Sequence, residues 1–203
     1  LEPRALATRI DKTIDLFLRN MVSIDRPLGH SETMTLLKLS LDNSSGKLLG
    51  NAPGQSITRN RTEGSIGITL NPKGAPWIKA TEEEIKKNLA ATLDIPANNP
   101  IVIGLAQHAV DGVDTVSEKV SRLVEFVEHY IQDDYTANPL TLMDIIEKKK
   151  GDCSEHAKLF TAMARALGIP CRTVGGLVYL GDAYQAFGLH AWNEVVMDGV
   201  WVP

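Results

Sequence analysis

Gly151-Asp152-Cys153-Ser154-Glu155-His156-Ala157 opens the stretch on which the fold turns. Asp152 and Glu155 stand as N-cap and N3, so their carboxylates are placed to accept backbone N–H groups that a helix start leaves unpaired. His156, Ala157, Phe160, Met163, Ala164 and Leu167 then recur at the spacing of one helix face. Gly168 and Pro170 stop that helix. Cys153 therefore falls at the first helical position. Free N–H groups and the positive end of the helix dipole favour a thiolate there, and the thiolate is the form that attacks. A merely buried cysteine fits poorly between polar Asp152 and Ser154.

Downstream, Leu189 to Met197 alternates, which predicts a strand with His190, Trp192, Glu194 and Val196 on one face. Asp198-Gly199 is a two-residue hairpin signal, and Val200, Trp201 and Val202 begin the return strand. A lone strand histidine is ordinarily just satisfied or exposed. It gains meaning if the Cys153 helix packs on this sheet and brings thiol and imidazole together.

Three segments carry a resemblance. They are Gly151 to Ala157, then Arg165-Ala166-Leu167-Gly168-Ile169-Pro170-Cys171-Arg172, then His190-Ala191-Trp192-Asn193-Glu194-Val195 followed by Gly199-Val200-Trp201-Val202-Pro203. In this order they resemble the transglutaminase-like superfamily, most closely the bacterial members grouped with papain-like cysteine peptidases. The resemblance implies an α+β core over residues 100–203, with the nucleophile helix packed on an antiparallel sheet. A small β-rich accessory region, residues 1–99, is expected before it. The resemblance also implies Cys153 as nucleophile and His190 as base. Its third member is an Asp shortly after the Trp-Val-Pro segment, so the core is expected to stop before its third catalytic residue. Continuing the hairpin register puts the second position beyond Pro203 opposite Trp192, within side-chain reach of His190. Asp198 cannot serve, because it lies roughly 26 Å further along the same strand. Asp152 at the helix mouth and Trp192 beside His190 are expected in support, Trp192 as a shield from water as well as a core aromatic.

The chemistry expected is thiol-dependent acyl transfer on an amide of a peptide or protein, through a Cys153 thioester. Water as acceptor gives a peptidase or amidase, which is the leading reading. An amine as acceptor gives protein-glutamine transamidation, and these residues do not separate the two because the first half-reaction is shared. A non-catalytic binding module that retains the fold is the alternative from another class. A pure binder has no need of both Cys153 and His190.

Composition bounds the partners. Of the 203 residues, 43% are hydrophobic and 23% charged, with a net charge of −4. That balance gives no electrostatic case for nucleic acid or an anionic membrane. No run approaches the roughly 18 apolar residues of a membrane span. Cys153, His156, Cys171 and His190 contain one short ligand pair where a structural zinc site shows two; no metal or cofactor is expected. His156 is a rival base by proximity, but its place on the apolar stripe suits a packed, hydrogen-bonded ring better. By the resemblance Cys171 sits at a small apolar position, so it is expected as a buried free thiol. The chain opens on Leu1-Glu2-Pro3 without Met, which suggests a processed start. No targeting segment is visible in this chain, so the localisation is left unassigned, with the resemblance leaning to a bacterial cell envelope.

Elsewhere the pattern predicts a helix, with a strand as alternative, over residues 3–21. Strands are expected over Thr33–Leu41, Lys47–Leu49, Ser56–Arg61, Ser65–Leu70 and Arg172–Leu180, with a tight turn at Thr62-Glu63-Gly64. Helices are expected over Thr81–Leu93, Ile101–Val110, Thr115–Gln132 and Leu140–Lys149. Asp94–Pro100, with two prolines and two asparagines, reads as the domain linker. Lys148-Lys149-Lys150 reads as complementing a helix dipole. Tyr130 and Tyr135 receive no role.

Overall fold

The structure is a computed structural model that describes residues 21–30, 33–41, 52, 54–60, 65–71, 77–135 and 140–203. The elements expected over residues 3–20 and 47–49, and the turn at 62–64, lie outside the described residues.

Leu28–Lys79 forms one compact unit. Within it, β2 (Leu37–Leu41), β3 (Gln55–Asn60) and β4 (Ser65–Leu70) make an antiparallel sheet with β4 in the middle. Ile66, Ile68 and Leu70 alternate along β4, and their cross-strand partners include Leu41, Leu39, Leu37 and Ile57. The result is one apolar face, on which Ile66 is buried.

The second unit joins β1 (Val22–Ser23) to Ala80–Pro203. Its helices are α1 (Glu82–Leu89), α2 (Pro100–Ala109), α3 (Val116–Tyr130), α4 (Leu142–Lys148) and α5 (Cys153–Ala166). Its sheet has β8 (Ala186–Met197) at the centre, antiparallel to β7 (Cys171–Tyr179) along one edge. On the other edge β8 pairs with β1 at Ala186 and Phe187 and with β9 (Val200–Val202) at Val195 to Met197. Among the described residues no strand covers that edge from Gly188 to Glu194. Asp198 and Gly199 have φ of 50° and 77°, the paired positive values of the tight hairpin turn their sequence announces. Mixed helix and antiparallel sheet is thus the α+β class expected.

Helix α5 lies between the sheet and the other helices. Leu159, Ala162, Met163 and Ala164 are inaccessible to solvent and pack with Val102 of α2, Leu123 and Val127 of α3, Ile145 of α4 and Val195 of β8. Capping boxes start α1, α3, α4 and α5, at Thr81/Glu84, Thr115/Glu118, Thr141/Asp144 and Asp152/Glu155. In α3 the buried stripe is narrower than its apolar positions suggest, since Val116 and Val124 are exposed.

The division between units differs from the expectation at residue 99. Residues 80–99 are part of the second unit. The Ala80 N–H donates to the Gly199 carbonyl at 2.9 Å. Arg165 donates to the Ala90 carbonyl at 2.8 Å, and Arg172 lies 3.6 Å from Glu84. Asp94–Pro100 is not a linker, because Ile95 and Ala97 are buried and Lys158 bonds Asp94 at 2.8 Å. Helix α1 also ends at Leu89 rather than Leu93. Thr92 and Ile95 close a turn of their own, through the Thr92 N–H to the Ile95 carbonyl at 2.9 Å and the Ile95 N–H to Thr92 Oγ1 at 3.0 Å. The lysine run is divided: Lys148 pairs with Asp144, Lys149 takes a left-handed cap over the Tyr130 ring, and Lys150 enters β6 (Lys150–Gly151).

Candidate active site

Local chemistry fixes the mouth of α5. Asp152 accepts the Ser154 N–H at 2.8 Å, and Glu155 accepts the Asp152 N–H at 3.0 Å. Glu155 is buried, and its carboxylate is satisfied by the Asp152 N–H, with the Ser154 hydroxyl at 3.1 Å shared between it and Asp152. A Cβ at Gly151 would collide with the Glu155 side chain, so the turn into the helix takes glycine. Cys153 follows as the first helical residue and is half-buried. Beside it, β5 (Gln132–Asp133) runs parallel to β6, and the Asp134 N–H donates to the Gly151 carbonyl at 2.9 Å. This ladder carries Tyr135 alongside Cys153. The sequence offered only an aromatic upstream of the cysteine, with no signal of pairing.

A polar network then holds α5 to the sheet. Asn193 Nδ2 donates to the Ala157 carbonyl at 3.0 Å and to Thr161 Oγ1 at 2.8 Å. Thr161 also bonds the Ala157 carbonyl and Thr173. Cys171 Sγ lies 3.7 Å from Thr161 Oγ1 within the same network. Sequence reasoning missed Asn193; its signal is a polar residue between Ala191 and Val195 on the face of β8 that must be buried.

His190 lies on the opposite face of β8 and is exposed, with its ring stacked near Trp192 at 6.3 Å between centroids. The indole leans over Gly176, the cross-strand partner of His190, where an added Cβ would come within 2.5 Å of the ring. The lack of a side chain at Gly176 is what leaves room for the Trp192 ring. Further along, Glu194 pairs with Arg172, whose guanidinium covers the Trp201 ring at 4.1 Å.

The structure places Cys153 against the backbone of Ala191, the residue after His190. Among the described residues no hydrogen bond joins the Cys153 and His190 side chains. Burial raises the Cys153 pKa, the Asp152 and Glu155 carboxylates raise it further, and backbone N–H groups of Ala191 and Cys153 partly oppose them. The expected preference for thiolate at the helix mouth is therefore overridden by desolvation and by the two capping carboxylates themselves. Asp152 stays ionised: burial pushes its carboxyl up, but the Ser154 N–H and hydroxyl hold it below its usual value. His156 donates from Nδ1 to the Asp152 carbonyl at 2.7 Å, which commits that nitrogen to the backbone. Burial and then Asp133, Cys153 and Asp152 raise the Tyr135 pKa, as its position requires. Cys171 is a free, buried thiol pushed up to about 11 by burial. Among the described residues no cluster of His, Cys, Asp and Glu is arranged to hold a metal, and no helix is long and apolar enough to cross a membrane. An open groove lined by His108, Phe126 and Tyr130 includes neither Cys153 nor His190.

Residues 103–203 match the family model of the transglutaminase-like superfamily. The chain carries a transglutaminase-like domain and belongs to that superfamily. Kyphoscoliosis peptidase of Homo sapiens is 27% identical over 147 residues, 62% of this chain and 22% of that protein. Its Mus musculus counterpart is 29% identical over 114 residues, 51% of this chain and 17% of that protein. The chain thus spans about a fifth of the length of these relatives. Among solved structures, the periplasmic domain of TgpA from Pseudomonas aeruginosa superposes with a TM-score of 0.59 at 16% identity, over 95% of this chain and 72% of that one. A candidate cysteine protease of Cytophaga hutchinsonii gives 0.53 at 15% identity, over 83% and 63%. These structures share the fold. At the family level, the transglutaminase-like domain is one of thiol-dependent hydrolases and transferases.

Proposed function

We propose that this domain catalyses thiol-dependent acyl transfer on an amide with water as acceptor, as a peptidase or amidase acting on a peptide or protein. The observation that carries the reading is Cys153 at the mouth of α5, lying against the Ala191 backbone with His190 the adjacent residue. Because burial and the capping carboxylates favour the thiol, proton transfer to His190 accompanies attack. This requires the imidazole to turn from the opposite face of β8 toward the sulfur, past the strand edge that no described strand covers from Gly188 to Glu194. The sulfur bonds the scissile carbonyl carbon as His190 takes the thiol proton. N–H groups of Cys153 and Ala191 hold the developing oxyanion. The C–N bond breaks as His190 returns the proton to the leaving amine, and water then cleaves the thioester with the same base. Trp192 keeps solvent from one side of the imidazole, and Asp152 holds the helix start that aims the sulfur.

The β9 register sets Val202 opposite Val195, so the second position after Pro203 would face Trp192 on the His190 side. An Asp there would orient the imidazole and favour its charged form, completing a triad. The test is acylation by p-nitrophenyl acetate, read by intact mass and peptide mapping. An acetyl group should appear on Cys153, decay in water, and be absent in Cys153→Ala. His190→Ala should slow its formation by roughly 10²-fold or more. Acylation at another residue, or indifference to His190→Ala, would sink the assignment. If added primary amines intercept the acyl group in preference to water, the reaction is transamidation.

A further inference from the structure

Between Ala157 and Cys153, the last turn before the helix mouth, α5 moves one two-residue step along β8. Four helix residues rise about 6 Å, and two strand residues about 6.6–6.8 Å. Thr161 meets Thr173 and Asn193, Ala157 meets Asn193, and Cys153 meets Ala191. The next cross-strand pair on this face is Leu177 with Leu189. No turn of α5 remains to cover it, and the two side chains are 37% and 58% exposed. Between this pair and the sulfur lie Ala191 and its partner Gly175. A Cβ added at Gly175 would meet nothing within 4 Å. The nucleophile therefore faces an open, small-residue gap with an apolar shelf just beyond it.

We infer that the Leu177–Leu189 shelf is a substrate subsite that takes an apolar side chain from the acyl portion of a peptide. This rests on Cys153 acting as the acyl-accepting nucleophile. The shelf and His190 are on opposite faces of β8. The leaving amine must depart toward its proton donor, His190, which leaves the shelf side for the acyl chain bonded to sulfur. The shelf disfavours an acidic side chain, because a carboxylate laid against two leucines loses water without gaining a partner. The shelf lies roughly 7 Å beyond Ala191, two strand residues away. An extended acyl chain, rising about 3.3 Å per residue, reaches it with a side chain close to the scissile carbonyl.

The experiment compares acylation of Cys153 in the full-length protein by p-nitrophenyl esters of acetyl-Leu-Gly, acetyl-Gly-Gly and acetyl-Asp-Gly. In each, the S–C bond forms, nitrophenolate leaves, and the thiol proton passes to the base. Every rate is divided by the same protein's rate with p-nitrophenyl acetate. The leucyl ester should exceed the glycyl ester by about tenfold, and the aspartyl ester should be the slowest. In Leu177→Ser/Leu189→Ser the leucyl-to-glycyl ratio should fall to within about twofold, a change near the scale of the side-chain area lost. Gly175→Val, which adds bulk in the gap at a position whose Cβ meets nothing within 4 Å, should lower both peptidyl rates relative to acetate. Acylation by all esters without leucyl preference, or with a preference that survives in the double variant, overturns the shelf while the nucleophile stands. Failure of every ester to acylate Cys153 overturns the proposed function, and the subsite with it.

Discussion

The two ends of the α5–sheet interface hold one cysteine each, in opposite circumstances. At the Cys171 end the thiol is inaccessible to solvent, bonded to Thr161, contacted by Asn193, and pushed up to about 11. At the Cys153 end the thiol is half-buried at a helix mouth, with backbone N–H groups beside it and, on the same sheet face, a Gly175 whose added Cβ would meet nothing within 4 Å. The same helix and strands make both environments. What separates them is whether the helix continues past the sulfur. Where it continues, the sulfur is a core atom. Where it begins, the sulfur meets orphan N–H groups and solvent.

The sharpest way to break this contrast is to compare the cysteines chemically. Cys153→Ala should reduce acyl transfer by about 10³-fold or more, whereas Cys171→Ala should leave most of it. Iodoacetamide on the folded protein should modify Cys153 and spare Cys171 until unfolding. Modification of Cys171 first, by peptide mapping, would reverse the assignment of the two ends.

Next in size is the clamp that keeps the ends distinct. Asn193→Ala leaves the Thr161 hydroxyl and the Ala157 carbonyl short of their amide donor. A loss of ~1–2 kcal/mol is expected in urea unfolding, the net worth of the two lost hydrogen bonds, because Thr161 and the Ala157 carbonyl keep each other as partners. Cys171 should then become reactive to iodoacetamide at lower urea than in the parent. If stability is unchanged, the network does not hold α5 to the sheet.

The adjacent glycines sharpen the comparison across the sheet. Gly176→Ala forces a Cβ to within 2.5 Å of the Trp192 ring, whereas Gly175→Ala meets open space. Gly176→Ala should cost ~1–3 kcal/mol and change the tryptophan fluorescence as the indole is displaced from above Gly176. Gly175→Ala should do neither. Equal effects would mean that Trp192 is free to rearrange, and its role beside His190 would fall.

Much of this contrast was legible in the sequence because it is local. The Asp152/Glu155 spacing specified a capping box, which fixed Cys153 as the first helical residue, and Asp198-Gly199 specified the hairpin register. Four helix starts were written in the same short-range code. Asn193 was not legible as a clamp, because its partners lie on α5, 32 and 36 residues away in sequence. Ile95 and Ala97 were hidden by the prolines and asparagines around them, which mark irregular backbone but not whether it is buried. The thiol of Cys153 was misjudged for a related reason. The helix dipole is readable from sequence, whereas desolvation is a property of the assembled surroundings.

That misjudgement yields the smallest and most discriminating expectation. Asp152 both caps α5 and raises the Cys153 pKa, behind burial as the leading cause. Asp152→Asn separates the two roles, because Asn caps a helix about as well as Asp while carrying no charge. With the carboxylate gone, more of Cys153 is thiolate at neutral pH, so iodoacetamide should react about threefold faster at pH 7, the scale of one nearby charge near a surface. The ratio of variant to parent rates should decline toward one as pH rises through the Cys153 pKa, because both thiols are then ionised. Thermal stability should change little, since the cap persists. A slower reaction at pH 7 with an intact fold would show that the Asp152 charge serves the nucleophile by holding a cation near it. The two ends of α5 would then differ by a charged partner as well as by burial.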